Sequence, residues 1–249
     1  MRPAHLATLA SFTLALAACG NSDEPSSEGA AAIEGEPVAA VAAPAGTSWI
    51  DTASKTADGG FVLGNPDAPL KLVEYASHTC GHCADFSESA SVPLQEDYSG
   101  TGRVSYEIRP LLRDPLDVTI DTLAQCGAPE SFHARSDQAW GALEQIAGTL
   151  QANPAAYEAA MTAAPEQRFV QLAQSAGLID FFAARGLSAD QARQCLSDTA
   201  KIQQVADQSQ RSAESNEVTG TPTFFLNGRR LEENTWAAIE PVLQRAGAR

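Results

Sequence analysis

The apolar residues of this chain follow two rhythms, and the change from one to the other lays out its architecture. Leu70, Leu72, Val73 and Tyr75 form an apolar run of strand length, turn-forming residues follow from Ser77 to Gly81, and a segment from Cys80 to about Tyr98 reads as a helix. Ahead of that run, Phe61-Val62-Leu63 suits a short edge strand; behind it, Arg103 to Arg109 alternates in the manner of a strand until Pro110 stops it. From Asp114 to Asn216 the period becomes helical, over Val118–Cys126, Phe132–Leu150, Pro154–Met161, Pro165–Ala176, Asp180–Arg185 and, with a break, Ser188–Asn216. The strand rhythm returns at Thr223–Leu226, where Pro222 is tolerated because it precedes the strand. Asn227-Gly228 is a two-residue hairpin signal into Arg229–Leu231, and Trp236–Arg245 is a closing amphipathic helix. The pattern predicts an α/β chain with a mixed α+β sheet, carried by residues 49–113 and 217–249 and split by a helical insertion at 114–216.

The residues before this domain belong to a different class. Met1 to His5 is short and weakly basic, and Leu6 to Ala18 is an apolar run of thirteen residues, too short to span a bilayer, so 1–18 reads as an export signal. Leu16-Ala17-Ala18-Cys19, followed by Gly20, resembles the lipobox of bacterial lipoproteins, in which Cys19 is lipidated and becomes the new N-terminus. The A-x-A-like Ala15-Leu16-Ala17 leaves open an ordinary secretory signal with Cys19 as a stray thiol. More than one acyl chain on Cys19 would anchor the protein stably, and Gly20, where an aspartate would retain it at the inner membrane, slightly favours the outer one. The expected location is therefore the periplasm, tethered to a membrane.

Residues 20–48 hold small residues, prolines and five acids with no Lys or Arg, a composition that cannot bury a core. With the lipidated cysteine, 19–48 is expected to be a disordered acidic linker spanning roughly 30 Å as a flexible coil. It shows no sustained apolar periodicity of the kind a dimerisation stalk needs, so a monomer is expected. The formal charge is −15; removing 1–18 takes away only Arg2, and the linker carries five acids, which leaves −11 on the folded part. That acidity disfavours nucleic acid and anionic surfaces as partners.

The candidate chemistry sits where the strand rhythm gives way to the first helix, at Cys80-Gly81-His82-Cys83. A C-x-x-C opening a helix places the first thiol beyond the helix end, where unpaired N–H groups and the dipole stabilise a thiolate. Cys80 is thus the expected attacking thiol and Cys83, one turn further in, the resolving one, with the His82 side chain adding a donor or positive charge beside the thiolate. Two other readings stay open. A structural disulfide would close so small a loop that it constrains little, and a zinc site could draw on His78, Cys80, His82 and Cys83 although no second ligand cluster exists. Glu74, on an otherwise apolar strand, could be a buried base for the Cys83 proton or a solvent-facing edge residue. Asp85, Glu88 and Glu96 suit the solvated face of the helix. In an oxidising compartment Cys126 and Cys195 suit a disulfide stapling the helical insertion, with two free thiols or an electron shuttle as alternatives.

GNPDAPLKLVEYASHTCGHCADF, together with VTGTPTFFLNG, resembles the DsbA-like thioredoxin-fold thiol:disulfide oxidoreductases of bacterial envelopes over about Gly60 to Ala246. The resemblance implies a thioredoxin-like fold with a helical-domain insertion and a dithiol oxidase that needs no cofactor and no metal. It implies that Pro222 is a cis-proline facing the C-x-x-C, with Thr221 turned toward the sulfurs to pair with substrate, and that an acid belongs at the position of Glu74. Some relatives carry a second acid where Ser87 stands, which puts a two-acid proton path in doubt. Implied partners are exported proteins with cysteine thiols and a membrane reoxidant of the DsbB type. Gly81 departs from the C-P-H-C of strong oxidases toward the C-G-H-C of disulfide isomerases, so a reductase or isomerase is the alternative. A non-catalytic thiol- or metal-binding lipoprotein is the alternative from another class.

Overall fold

The computed structural model describes residues 33–249. The export signal at 1–18, the lipidation candidate Cys19 and the linker as far as residue 32 lie outside the described residues. Six strands form one sheet: β1 (Ala53–Lys55), β2 (Phe61–Leu63), β3 (Leu70–Ala76), β4 (Val104–Pro110), β5 (Thr223–Leu226) and β6 (Arg229–Arg230), in the spatial order β1-β2-β4-β3-β5-β6. The central pair, β3 and β4, is parallel from Leu70↔Val104 to Ala76↔Pro110, and all other pairs are antiparallel. A parallel pair needs a crossover between its strands, and α1 (Gly81–Pro93) supplies it.

With a neighbour on each side and both faces covered, β3 is apolar almost throughout, and Leu72 and Tyr75 are fully buried. Glu74 shares one face of the strand with Leu70, Leu72 and Ala76 and is buried with them, whereas Lys71 on the other face is exposed. The first helix continues past its own proline: Pro93 lacks an N–H, and Leu94–Tyr98 proceeds as a wider π turn, so the helical path reaches Tyr98 as its pattern predicts.

Between β4 and β5 the chain is entirely helical: α2 (Pro115–Ala124), α3 (Phe132–Gly141), α4 (Leu143–Gln151), α5 (Pro154–Thr162), α6 (Pro165–Ser175), α7 (Leu178–Ala183), α8 (Ala189–Ser197) and α9 (Thr199–Ser215). Local signals start several of them. Asp114 and Asn153 cap helices whose first residue is proline, and Ser188 with Gln191 forms a capping box. The insertion has its own core around Ile120, Leu123, Leu178, Phe182 and Leu196, while Phe132 and Trp140 of α3 join the core under the sheet. A disulfide between Cys126 and Cys195 closes 69 residues of it. The helix α10 (Trp236–Arg245) packs under the sheet beside α1. This is the α/β layout with a helical insertion that the resemblance implies.

Two expectations are corrected. Phe61–Leu63 is not an edge strand, because β1, too short and polar to show in the pattern, pairs along its outer side from Ala53↔Leu63 to Lys55↔Phe61. The described part of the acidic linker is docked rather than disordered. Gly35 N donates to Arg245 O (2.9 Å), Val38 N to Gly247 O (2.8 Å) and Val41 N to Thr101 O (2.9 Å), and Ile33 and Val38 pack on the sheet core. A Cβ on Gly35 would collide with Ala246 O, and one on Gly247 with Glu36 O, so both glycines are needed for this close backbone approach. Composition weighs side chains, whereas backbone pairing holds this segment, and for that reason its docking does not show in the sequence.

Candidate active site

Cys80 is the N-cap of α1, in extended conformation, and Ala84 N closes the first turn onto its carbonyl (3.1 Å). Its sulfur faces the other two parts of the site. It lies 3.3 Å from Thr221 O, and the Thr221–Pro222 peptide that begins β5 is cis. The Cys80 thiol donates to the Thr221 carbonyl, while the Cys83 thiol and the backbone N–H groups of Cys83 and His82 donate to the Cys80 sulfur. Together, led by the Cys83 thiol and against the effect of burial, they hold Cys80 down at about 5. Cys83 is the opposite case. It is fully buried, and burial, its bond to Cys80 and the nearby Glu74 charge keep its thiol far above the usual range, opposed by the Ser77 N–H. Neither cysteine is disulfide-bonded in this structure, so one stabilised thiolate stands beside one buried neutral thiol.

Glu74 is the acid beside that thiol. It has no solvent exposure, burial raises it to about 8, and the Tyr106 hydroxyl donates to its Oε2. Its Oε1 has no hydrogen-bond partner among the described residues. The negative charge of Asp137 pushes it further up. Asp137 comes from α3 of the insertion and accepts from Ser87 Oγ (2.8 Å) and Gln95 Nε2 (3.2 Å). Ser87 lies one helical turn beyond Cys83 on the buried face of α1. A second carboxyl is therefore present beside Ser87, contributed by α3 and not by α1.

The structure separates the two histidines near the cysteines. The His82 ring is 84% exposed and sits 3.4 Å from Asp85 Oδ2, so what His82 brings to the sulfur is its backbone N–H and not its imidazole. The second position after the N-cap points outward from α1, which turns the ring toward solvent. Asp85, Glu88 and Glu96 do lie on the exposed side of the helix. His78 turns the other way, fully buried and stacked on Trp140 (5.1 Å between ring centres), with Nε2 3.0 Å from Ser136 Oγ. Burial lowers it to about 3, which makes it a neutral ring. The four possible zinc ligands are thus not gathered around one point, and no group of three or more His, Cys, Asp or Glu suited to a metal occurs among the described residues.

Beneath His78 lie two carboxylates that periodicity and motif did not single out. His78 Nδ1 is 3.8 Å from Asp117 Oδ1 and 3.9 Å from Asp121 Oδ1. Burial raises Asp117 to about 7, and burial followed by the Asp117 charge raises Asp121 to about 8. A signal for them existed: Asp117 and Asp121 share one face of α2 with the buried Ile120 and Ala124, and acids on an apolar stripe are out of place on a solvated helix. No such signal marks Asp137 or Tyr106.

A family model described as Thioredoxin matches residues 56–245. A relative in Rickettsia bellii (strain RML369-C), provisionally named a protein-disulfide oxidoreductase, is 25% identical over 193 residues, covering 77% of this chain and 66% of its own. A similar one in Rickettsia conorii is 25% identical over 62% of its length, so the chain spans less than two thirds of these curated relatives. Among solved structures, a protein-disulfide isomerase from Novosphingobium aromaticivorans is 30% identical, with a TM-score of 0.70 over 77% of this chain and 99% of that one. Wolbachia pipientis alpha-DsbA1, at 19% identity and a TM-score of 0.56 over 75% and 90% of the two chains, shares the fold.

Proposed function

The chain belongs to the thioredoxin family in its DsbA-like form, and from that premise we propose that it is a thiol:disulfide oxidoreductase acting as a dithiol oxidase on exported proteins. The observation that carries this reading is the pairing at one helix end of a thiol held near 5, its sulfur 3.3 Å from Thr221 O, with a buried thiol held far above it. An environment that stabilises the Cys80 thiolate stabilises the reduced protein, which makes the corresponding disulfide oxidising.

In the oxidised protein, a substrate thiolate attacks Cys80 Sγ. A substrate–Cys80 disulfide forms, the Cys80–Cys83 bond breaks, and Cys83 leaves as a thiolate. Its burial makes that charge costly, and Glu74, which holds its proton up to about pH 8, is placed to donate it. The substrate's second thiolate then attacks the substrate sulfur of the mixed disulfide, forming the substrate disulfide and expelling Cys80 as the stabilised thiolate. Two electrons pass from the substrate dithiol to the protein, and no cofactor enters. The Thr221 carbonyl, ahead of β5 and beside Cys80, offers an extended substrate a backbone partner. Reoxidation by a quinone-linked membrane protein of the DsbB type, export, and anchoring in a membrane through lipidated Cys19 complete the proposal, on the strength of the resemblance and the sequence of residues 1–20. Loss of membrane association in a Cys19→Ala variant expressed from the full gene tests the anchor; unchanged fractionation removes it.

A second reading, disulfide isomerase or reductase, is favoured by Gly81 within C-G-H-C and by the similarity to the Novosphingobium protein-disulfide isomerase. Equilibration with glutathione buffers followed by thiol counting decides between them. A potential in the range of strong oxidases supports the oxidase, and one near the thioredoxin end assigns a reductase.

A further inference from the structure

A groove of about 470 Å³ runs between the connection from β4 to α2, the helices α5 and α6 of the insertion, and α9. Its walls are largely apolar, with Leu111, Val118, Met161 and Phe169 half-buried. Val218, on the segment that leads to the cis Thr221–Pro222 peptide, is buried at one wall. Two arginines, Arg113 and Arg168, line the same groove.

Neither arginine is paired with a carboxylate among the described residues. Arg109 and Arg193 direct their donors to carboxylates, and Arg103 and Arg230 to backbone carbonyls. Arg113, by contrast, is exposed, and its side chain makes one hydrogen bond, from Nη1 to Thr221 Oγ1 at 3.5 Å. Arg168 Nε is shielded from solvent with no hydrogen-bond partner among the described residues. The two acids on the groove are already engaged. Asp114 accepts Asp117 N (2.9 Å) and Thr79 Oγ1 (2.6 Å), and Glu214 accepts Gln210 Nε2 (2.8 Å). A guanidinium carries five donors in a planar fork that matches a carboxylate, so the groove combines an apolar lining with donors that lack an acceptor.

Arg113 is also fixed in relation to the reactive sulfur. Its backbone N–H donates to Asp117 Oδ2 (3.0 Å), the oxygen that accepts Ser77 Oγ (2.7 Å) from the segment leading into Cys80. Its guanidinium meets the Thr221 side chain, while the Thr221 carbonyl lies 3.3 Å from Cys80 Sγ. One residue therefore stands between Arg113 and the thiol, and a chain bonded to Cys80 through its own sulfur passes within reach of the guanidinium. We propose that Arg113 is a specificity-determining residue: it pairs with a carboxylate close to the reacting cysteine of a substrate protein, and the apolar groove with Arg168 receives the chain that continues from there. This inference deepens the disulfide-exchange reading above and rests on it. The net negative charge of the chain opposes acidic substrates at long range, so the preference is local and shows as a difference between substrates.

The test uses the full-length oxidised protein and peptide dithiols that differ only in carrying Glu, Gln or Lys within two residues of the first cysteine. The readout is the Glu-to-Lys ratio of the second-order rate constants for peptide oxidation. Comparing that ratio between protein variants cancels the reactivity of the peptide thiols themselves. Arg113→Gln should lower the ratio about fivefold, the upper end for an ion pair at a protein surface, and added salt should shrink the wild-type ratio. Arg229→Gln, which removes a positive charge from the exposed strand β6, should leave the ratio as it is. An unchanged ratio in Arg113→Gln overturns the inference, and so does an equal fall in Arg229→Gln, which would make it an effect of net charge. A preference for Glu that appears only once residues 20–32 are deleted assigns the groove to Asp23, Glu24 or Glu28 of this chain and also overturns it. If the wild-type protein oxidises none of the peptides, the disulfide-exchange reading falls and the inference with it; if it oxidises all three alike, only the inference falls.

Discussion

Two pairs of cysteines sit in this molecule, and they differ in almost every physical respect. Cys126 and Cys195 are bonded across 69 residues, joining the end of α2 to α8 within the insertion. Cys80 and Cys83 are two residues apart at a helix end and are both thiols. Closing a long loop constrains the unfolded chain strongly and closing a short one hardly at all, so stability resides in the first pair. A second thiol and backbone amide groups surround the second pair and stabilise the charge that forms when its bond breaks. The comparison teaches that loop length and local hydrogen bonding, not the presence of a disulfide, separate a staple from a reactive site.

The sharpest way to break this comparison is to exchange the consequences of the two pairs. Cys80→Ser should abolish turnover, whereas Cys83→Ser should accumulate a mixed disulfide at Cys80 that gel mobility detects under non-reducing conditions. Cys126→Ser with Cys195→Ser should leave turnover intact and cost about 4 kcal/mol of unfolding free energy for a loop of 69 residues, read by denaturant titration. Loss of activity in that double variant together with full stability would invert the assignment.

Next in size is the proton route proposed for the reactive pair. Glu74→Gln keeps the shape of the buried group and removes its proton chemistry, so the step that expels or recruits Cys83 should slow by about a hundredfold, with the attack on Cys80 by an added thiol reagent unaffected. Equal slowing of both steps would show that Glu74 acts on the fold around the site and not on Cys83.

The two thiols of the reactive pair should also titrate apart. Thiolate absorbance of the reduced protein should show one transition near pH 5, from Cys80, and none from Cys83 in the neutral range. Stability follows the same sign. Cys80 is held at about 5 in the folded state against 9.0 for a free thiol, so its contribution is complete above pH 9 and is lost as the pH falls through 5. Glu74, raised from 4.5 to about 8, works in the opposite sense across that interval, but it is present in both redox forms. The gap in melting temperature between reduced and oxidised protein should therefore widen in favour of the reduced form from pH 5 to pH 9, and a flat gap would remove the stabilised thiolate. The smallest effect belongs to Asp137→Asn. Because the Asp137 charge raises Glu74, its removal should lower the pH at which the Cys83 step changes rate.

The strand before the C-x-x-C, the helix it opens, the proline before β5 and the closing hairpin and helix were all legible, because each rests on local rules: period, turn chemistry and the proline ring. The insertion was legible for the same reason, through capped helical segments at Asp114, Asn153 and Ser188. Glu74 was visible as an acid on an apolar run, but its face was undecided until β4 and β5 enclosed β3 on either side. The outward turn of His82, the docking of residues 33–41 and the cover of β1 over β2 were not legible, since a side-chain pattern carries no information about backbone pairing across the chain.

What the sequence alone determined was the inventory and its local geometry: a thiol at a helix N-terminus, a second thiol one turn on, an acid on the preceding strand and a helical domain between two halves of a sheet. What only the tertiary structure decided was which distant groups meet that thiol. Asp117 on α2, Asp137 on α3, Tyr106 on β4 and Thr221 before β5 reach the site from separate stretches of chain. Burial and charge act through space, and the pKa of a group is set by whatever the fold brings within a few ångströms of it, which no spacing along the chain records.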